Sequence, residues 1–492
     1  METMQHVFDS AELWHLLPEL VLAAGAFALL LFDLFFDSKQ KGITHWLSMA
    51  LLLVVAVLVF TGAGGQPAHL GPPPVLNGMF IRDGVADLAK GFICLVSALG
   101  FIYALPYLKE RGIYKGEVPV LMLFATLGMM VLVSSANLIM VYVGLEMLAL
   151  SSYALVAVNR DSPVATEAGM KYFVLGALAS GLLLYGMSLV YGATGTLDLE
   201  AVLEASISTQ DYLMLMTGAA FMVAGVAFKL GAAPFHMWLP DVYQGAPTPV
   251  AQFIGAAPKL AAFVMAYRLL SALAPYSEIW GTMVAALAGL SLIVGNLMAL
   301  RQSNLKRLLA YSTVSHIGFL LMGVAVGNAQ GAAASMFYAV TYALTSLASF
   351  GFIILMSRKG FEADEIADYR GLGKRNPWMA FLVLCVVASL AGLPPFIGFF
   401  AKVAVITAAV NEGLLWLAIV GIVCAVIGMF YYLRILKAMY LEAPEEGVTA
   451  LANPRDCALM RTSFAVNALL LLGVVVVMNP LIDWCYELFF IP

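Results

Sequence analysis

Apolar runs of about 20 residues recur along this chain, and that is the length a helix needs to cross the hydrocarbon core of a bilayer. They fall near 17–36, 44–63, 84–107, 118–136, 138–158, 165–193, 212–234, 250–271, 280–300, 307–327, 332–356, 377–408, 413–433 and 463–479. Inside lipid a chain must satisfy its own backbone hydrogen bonds, so runs of this length are read as helices. Only 11% of the 492 residues are charged and 62% are hydrophobic, whereas a soluble domain carries about 25% charged residues. The expected fold is an all-α polytopic membrane protein with about 14 transmembrane helices. A net charge of −5 gives no reason to expect a nucleic-acid partner. The 26 methionines and 43 glycines suit close helix packing in lipid.

Charge in the connections sets the expected orientation. Alternate loops carry Lys39 and Lys41; Lys109, Arg111 and Lys115; Arg160; Arg301, Lys306 and Arg307; Arg358, Lys359, Arg370, Lys374 and Arg375; Arg434, Lys437, Arg455 and Arg461. The opposite loops and both termini carry only Arg82. By the positive-inside rule, both termini lie outside the cytoplasm and the number of spans is even. One inner connection, 235–249, has no lysine or arginine of its own. The start, METMQHVFDSAELW, is acidic and does not read as a cleaved signal peptide.

Two spans are interrupted. The seventh contains FKLGAAPFHMWLPD with Pro234 and Pro240; the twelfth contains AGLPPFIGFFAK with Pro394 and Pro395. Proline removes a donor and clashes with the preceding turn. Interrupted helices in corresponding halves of a transporter mark the site and an inverted repeat. Lys229 precedes its break and Lys402 follows its own. The expected organisation is three N-terminal helices in 1–117, two inverted five-helix repeats in 118–271 and 280–433 with broken helices 7 and 12, and a C-terminal helix in 434–492.

Charges inside these runs are the candidate functional residues. A lone cation at the middle of a membrane helix costs about 2.5–3.5 kcal/mol on insertion scales, so intramembrane charge is functional by default. Glu146 lies near the midpoint of NLIMVYVGLEMLALSSYALVAV, and Lys229 lies beside the seventh-span break. The separation of such a pair governs whether the lysine keeps its proton, and titration then belongs to the pair. Lys259, in QFIGAAPKLAAFVMAYR, is too deep to snorkel easily to either surface. Lys402 lies beyond the twelfth-span break. Lys171, in EAGMKYFVLGALAS, stands nearer the inner surface, where snorkelling explains it as well as a path role does. Lys90 shares its segment with Asp83 and Asp87, so a local ion pair is expected there. His316, mid-span in KRLLAYSTVSHIGFLLMG, and His236, after Pro234, are candidate relays, since imidazole titrates near neutral pH. Tyr311, Ser312, Thr313, Ser315 and Tyr342 offer hydroxyls, although these are common in membrane helices. The competing reading of Glu146 and Lys229 is a static pairing that holds helices together, and that of the histidines is a helix-packing hydrogen bond.

Several chemistries lack support. Cys94, Cys385, Cys424, Cys457 and Cys485 stand far apart, with no C-x-x-C or histidine–cysteine cluster for iron–sulfur, zinc or haem. There is no phosphate-binding loop and no dinucleotide fingerprint, and GAGG at 62–65 sits at a span end. No insertion is long enough for a catalytic domain, so energy for transport must come from a gradient or a partner.

The segments GLEMLALSSYALVA, KYFVLGALASG, FKLGAAPFHMWLPDVYQGAPTPV, LKRLLAYSTVSHIGFLLMG and GLPPFIGFFAK together resemble the antiporter-like subunits of respiratory complex I, over about 118–410. Lysine at 402 sets the chain apart from a sibling that carries glutamate there. No long C-terminal lateral helix, as in another sibling, is expected within 492 residues. The resemblance implies that Glu146 and Lys229 are the family's charge pair, Lys259 the central lysine, Lys402 the terminal lysine of the second half-channel and Lys171 the sixth-helix lysine. It also implies that His316 bridges Lys259 toward Lys402 through water. It implies a proton-translocating subunit of a bacterial inner-membrane complex, among neighbouring antiporter-like subunits and lipid. No cofactor is expected in this chain; FMN, iron–sulfur clusters and quinone belong to partner subunits. The rival readings are a subunit of a multisubunit sodium/proton antiporter or membrane-bound hydrogenase, and a passive scaffold. The acidic outer loop with Asp198, Glu200, Glu204 and Asp211 is one expected docking surface.

Overall fold

The computed structural model describes residues 10–35, 42–62, 75–443 and 457–489. Lys39, Lys41, Arg455 and most of GAGG lie outside these residues. The crossings, in chain order, are Leu17–Asp33, Gly42–Phe60, Gly84–Glu110, Glu117–Val133, Leu138–Val156, Pro163–Thr194, Tyr212–Leu230, Thr248–Ser271, Ala274–Ala299, Leu305–Ala325, Ala329–Met356, Pro377–Ala391 with Ile397–Asn411, Leu415–Tyr440 and Ala458–Glu487. Ten described helices are long and apolar enough to cross a membrane alone. The short ones include the two halves of the twelfth crossing. The tenth and eleventh crossings are buried nearly throughout and form the centre; the second, sixth and thirteenth are largely exposed at the rim.

Local sequence explains where the helices start and stop. Asp83, Asn137, Ser162, Asn304, Asn328 and Asn376 each accept a backbone N–H at a helix start, which satisfies a donor the helix cannot. The seventh and twelfth crossings both stop at a glycine in the left-handed region, Gly231 at φ +87° and Gly392 at φ +77°, where a Cβ would be strained. After Gly231 the chain turns and forms the short helix Trp238–Gly245.

The structure corrects three expectations. The eighth crossing, read as continuous over 250–271, is broken as well. Thr248–Gly255 and Ala257–Ser271 meet at Ala256, with φ −108° and ψ −92°. Pro258 is the cause, because its ring collides with the carbonyl four residues earlier. The acidic loop 198–211 is mostly the helix Leu199–Ser208, capped by the Asp198 side chain. Lys90 does not pair locally. Its ammonium meets Glu19 of the first crossing at 2.6 Å, while Asp87 takes Arg82 and Asp83 takes Arg268.

Small residues set the closest helix approaches. A Cβ on Gly144 would lie 2.7 Å from the Leu132 nitrogen, and one on Gly128 would lie 2.6 Å from the Leu148 nitrogen. The fourth and fifth crossings thus touch backbone to backbone. Gly295 and Gly318 do the same between the ninth and tenth. Gly144→Ala is expected to destabilise by about 1–3 kcal/mol, because backbone cannot yield to the added methyl. Gly100→Ala, with nothing within 4 Å of the new atom, should be neutral. Thermal denaturation in detergent checks both; equal midpoints for the two variants would contradict the packing account.

Candidate functional site

The first site forms where the seventh crossing stops. Its last carbonyls have no partner within the helix. Lys259, 1% exposed, donates to Leu230 O at 2.8 Å and to Lys229 O at 3.4 Å. Trp238 stands with its ring 5.0 Å from the ammonium and donates its indole N–H to Phe228 O at 3.1 Å. A cation at a helix C-terminus gains about 0.3–1 kcal/mol at exposed sites, and up to about 2 kcal/mol when partly buried. The ring face adds cation–π attraction.

The second site repeats this construction at the twelfth crossing. Lys402, 8% exposed, donates to Leu390 O and Ala391 O at 3.0 Å each. Phe319 presents its ring at 5.2 Å. Each site thus combines a left-handed glycine, two terminal carbonyls, an aromatic ring and a buried ammonium. Lys259, reaching over from the eighth crossing, is the structural counterpart of Lys402.

A row of polar side chains lies between the sites. The eleventh crossing, Ala329–Met356, supplies Tyr338, Thr341, Tyr342, Thr345 and Ser346, whose spacing places them on one side of the helix. Ser346 donates to Gly255 O, at the eighth-crossing break, at 2.9 Å. Tyr342 donates to Thr313 Oγ1 at 2.8 Å. His316 Nδ1 lies 2.7 Å from Tyr338 OH, and Nε2 lies 3.2 Å from Tyr432 OH, which is bonded in turn to Ser312. His316, Tyr338, Thr341, Tyr342, Thr345 and Ser389 line a cavity of about 10 Å³, close to the room one water needs. Thr341 Oγ1 has no protein partner. Thr345 and Ser389 hydroxyls stand 3.5 Å apart, and Ser389 belongs to the last turn before the carbonyls that hold Lys402. The row therefore runs from the eighth-crossing break, past His316, to the second lysine.

The other expected residues take different positions. Glu146 and Lys229 are half-buried and interact coulombically, with no hydrogen bond or ion pair between them among the described residues. One Glu146 oxygen, Oε1, is buried and unpartnered. Lys171 is 43% exposed and pairs with Asp241 at 2.8 Å and Glu167 at 2.9 Å; it does not join the row. Arg307 also reaches Asp241, at 2.7 Å, so neighbouring helices bring cations to the connection that has none of its own. His236 is half-buried near Tyr311. Sequence reasoning missed Trp238, Phe319, Tyr338, Ser346, Thr345 and Ser389. The signal was present in part, as polar residues at helical spacing through 338–349 of an otherwise apolar run.

Among the described residues, a further charged knot ties together the ends of the third, eighth, tenth and eleventh crossings. The Glu362 carboxylate accepts from the Tyr107 and Thr248 hydroxyls, meets Arg111 at 2.7 Å and lies 3.9 Å from Lys306. Burial alone raises the pKa of this carboxyl, but Lys306 and Arg111 outweigh it and hold the value below the ordinary range.

Interrupted helices, buried lysines seated on their ends and a hydroxyl–imidazole row define a class of polytopic membrane proteins. The chain belongs to the family described as NADH:quinone oxidoreductase/Mrp antiporter, TM, whose model matches residues 135–428. It is 59% identical to NADH-quinone oxidoreductase subunit N of Xanthomonas euvesicatoria pv. vesicatoria (strain 85-10) over 481 residues, covering 98% of this chain and 97% of that protein. In respiratory complex I from Thermus thermophilus with bound aureothin, one chain superposes with TM-score 0.80 at 29% identity, covering 95% of this chain and 98% of that one. A chain of the Mrp complex from Dietzia sp. DQ12-45-1b shares the fold, with TM-score 0.80 at 21% identity over 97% and 96%. The resemblance read from the sequence is borne out, including the branch to which Lys402 pointed.

The knot has a definite pH sign. A carboxyl whose folded pKa is depressed contributes stability above its unfolded value, about 4.3, and loses it as pH falls through the lower folded value. The stability gap between wild type and Glu362→Gln should therefore stay constant from about pH 6 to 8 and close only in strong acid. Thermal denaturation across that range checks this; a gap that closes near pH 7 would refute it.

Proposed function

We propose that the chain carries protons across the membrane as a subunit of an NADH–quinone oxidoreductase, driven by electron transfer in partner subunits. The observation that carries this reading is the pair of matched lysine sites, each on the end of a broken helix and joined by the His316 row. A subunit N relative at 59% identity over nearly the full length supports the complex. On this reading the enzyme is a translocase, and the flavin, iron–sulfur clusters and quinone lie in its partners. Among the described residues no group of three or more histidine, cysteine or acidic side chains is placed to hold a metal. The charge asymmetry of the loops supports a bacterial inner-membrane protein with both termini on the outer side.

Proton movement follows from the geometry. An ammonium at Lys259 or Lys402 holds terminal carbonyls; a neutral amine holds them far less, so losing the proton loosens the contact. Loading Lys259 from the inner side is followed by transfer along Ser346, Tyr342, Thr313 and His316 to Ser389 and Lys402, then outward. Glu146 and Lys229 set the timing. Closing a charge pair from about 8 Å to about 4 Å at an effective dielectric near 20 gains ~2 kcal/mol. Moving one charge through 100 mV costs about 2.3 kcal/mol. A displacement of Glu146 by a neighbouring antiporter-like subunit is thus of the right size to move a proton. Lys171, at the surface, serves the inner end of the path.

A cation/proton antiporter is the second reading, favoured by the shared family model and by the Mrp fold. Mild-detergent purification of the tagged chain decides between them. Flavin and iron–sulfur subunits with quinone-linked NADH oxidation support the oxidoreductase; a redox-silent set of membrane subunits supports the antiporter. Within the oxidoreductase, Glu146→Gln is expected to lower pumping by at least half with assembly intact. Lys259→Ala and Lys402→Ala should abolish it. Unchanged proton-to-electron ratios in assembled variants would count against the scheme, and loss of assembly in all three would favour a passive scaffold.

A further inference from the structure

The inner end of the eighth crossing holds a second polar line, which meets the row between the lysines at the Gly255 carbonyl. It begins at Glu362, in the connection after the eleventh crossing. This carboxylate is 27% exposed, so part of it meets water. Its bonds to Tyr107 and Thr248 face the protein. Thr248 is the first residue of the half-helix Thr248–Gly255. One turn on, Gln252 is wholly buried; its amide donates to Leu347 O at 2.7 Å, while Oε1 has no partner. Another turn on, the helix breaks. The Gly255 carbonyl is held by Ser346, and the buried Tyr243 hydroxyl lies 3.2 Å from where a Gly255 Cβ would be. Lys259 follows three residues after Ala256. Positions 248, 252 and 255 recur at helical spacing within the half-helix, so successive turns bring them to one side, and Lys259 follows across the break at Ala256.

Buried polar atoms left without protein partners are costly unless water bonds them. One such atom, Gln252 Oε1, lies in the half-helix between Thr248, which bonds the partly exposed Glu362, and the break that precedes Lys259. Broken membrane helices are tolerated where their freed backbone lines a hydrated path.

We propose that Glu362, Thr248 and Gln252 form the inlet through which protons from the inner aqueous face reach Lys259. The inference rests on the proton-carrying reading above. A proton from bulk water joins the Glu362 carboxylate. The acid passes it to water hydrogen-bonded along Thr248 and Gln252. The neutral Lys259 amine takes a proton from the near end of that water file and becomes ammonium, and Glu362 is again a carboxylate. Only O–H and N–H bonds are exchanged, and no oxidant or reductant enters. Lys306 and Arg111 beside Glu362 favour the ionised form, which keeps the proton's stay there short.

The test measures NADH-driven proton uptake per electron by the assembled complex in inverted membrane vesicles. Glu362→Gln and Gln252→Leu are each expected to lose at least half of the uptake, and Gln252→Glu to restore it. Gln252→Leu leaves the bond between Thr248 and Glu362 in place, so it separates an inlet from a structural clamp. Loss in Glu362→Gln with normal uptake in Gln252→Leu would overturn the inlet and leave a clamp. Normal uptake in both, while Lys259→Ala fails, would overturn the inlet and spare the proton reading. Normal uptake in Lys259→Ala would sink both. Where Glu362→Gln does not assemble, the two Gln252 variants decide.

Discussion

A buried ammonium bonded to the open end of a half-helix is the contact on which the rest of this molecule depends. Membrane helices normally bond all their own backbone groups. Stopping one inside the protein leaves carbonyls that need donors, and burying a lysine leaves an ammonium that needs acceptors. Each solves the other's problem, at Lys259 with Leu230 and at Lys402 with Leu390 and Ala391. The contact is strongest while the amine carries its proton, since an ammonium is a charge-assisted donor and a neutral amine is not. A contact of that kind is structural and conditional at once, as the proposed proton-carrying role of these lysines requires.

The two contacts are the same device built by different routes. Lys402 folds back onto the first half of its own crossing, whereas Lys259 reaches from the next crossing. The eleventh crossing then spans the distance between them with one polar side in a helix otherwise packed in apolar surroundings. Hydroxyls and one imidazole are suited to this place because they donate and accept without carrying a fixed charge, so the row adds no permanent ion to the desolvation cost of the interior.

Much of this was legible in the sequence, for reasons that are physical. Span number follows from hydrophobic length, and the breaks at 231–237 and 392–396 follow from proline and glycine. The depth of Lys259 followed from its distance to any polar flank, whereas that of Lys402 depended on where the twelfth-span break falls. What could not be read was which helices touch. Lys90 takes Glu19, far away in the chain, over Asp83 and Asp87 close by, because helix neighbours are set by packing. Lys171 finds Asp241 for the same reason. The break at Ala256 was readable from Pro258, but a single proline in an apolar run is a weaker sign than the paired signals of the seventh and twelfth crossings. The hydroxyl row was hidden because serine and threonine are ordinary in membrane helices, and only their common face distinguishes these.

The central claim is that the lysines work by releasing a proton, and Lys259→Arg tests it most directly. Arginine keeps the positive charge and the donors toward the helix-end carbonyls but does not deprotonate in proteins. Proton uptake per electron should be measured on the assembled complex in vesicles, alongside quantification of the assembled complex. The account predicts a complex that assembles and does not pump. Pumping at the wild-type ratio would show that charge at this position, and not its loss and return, is what the protein requires.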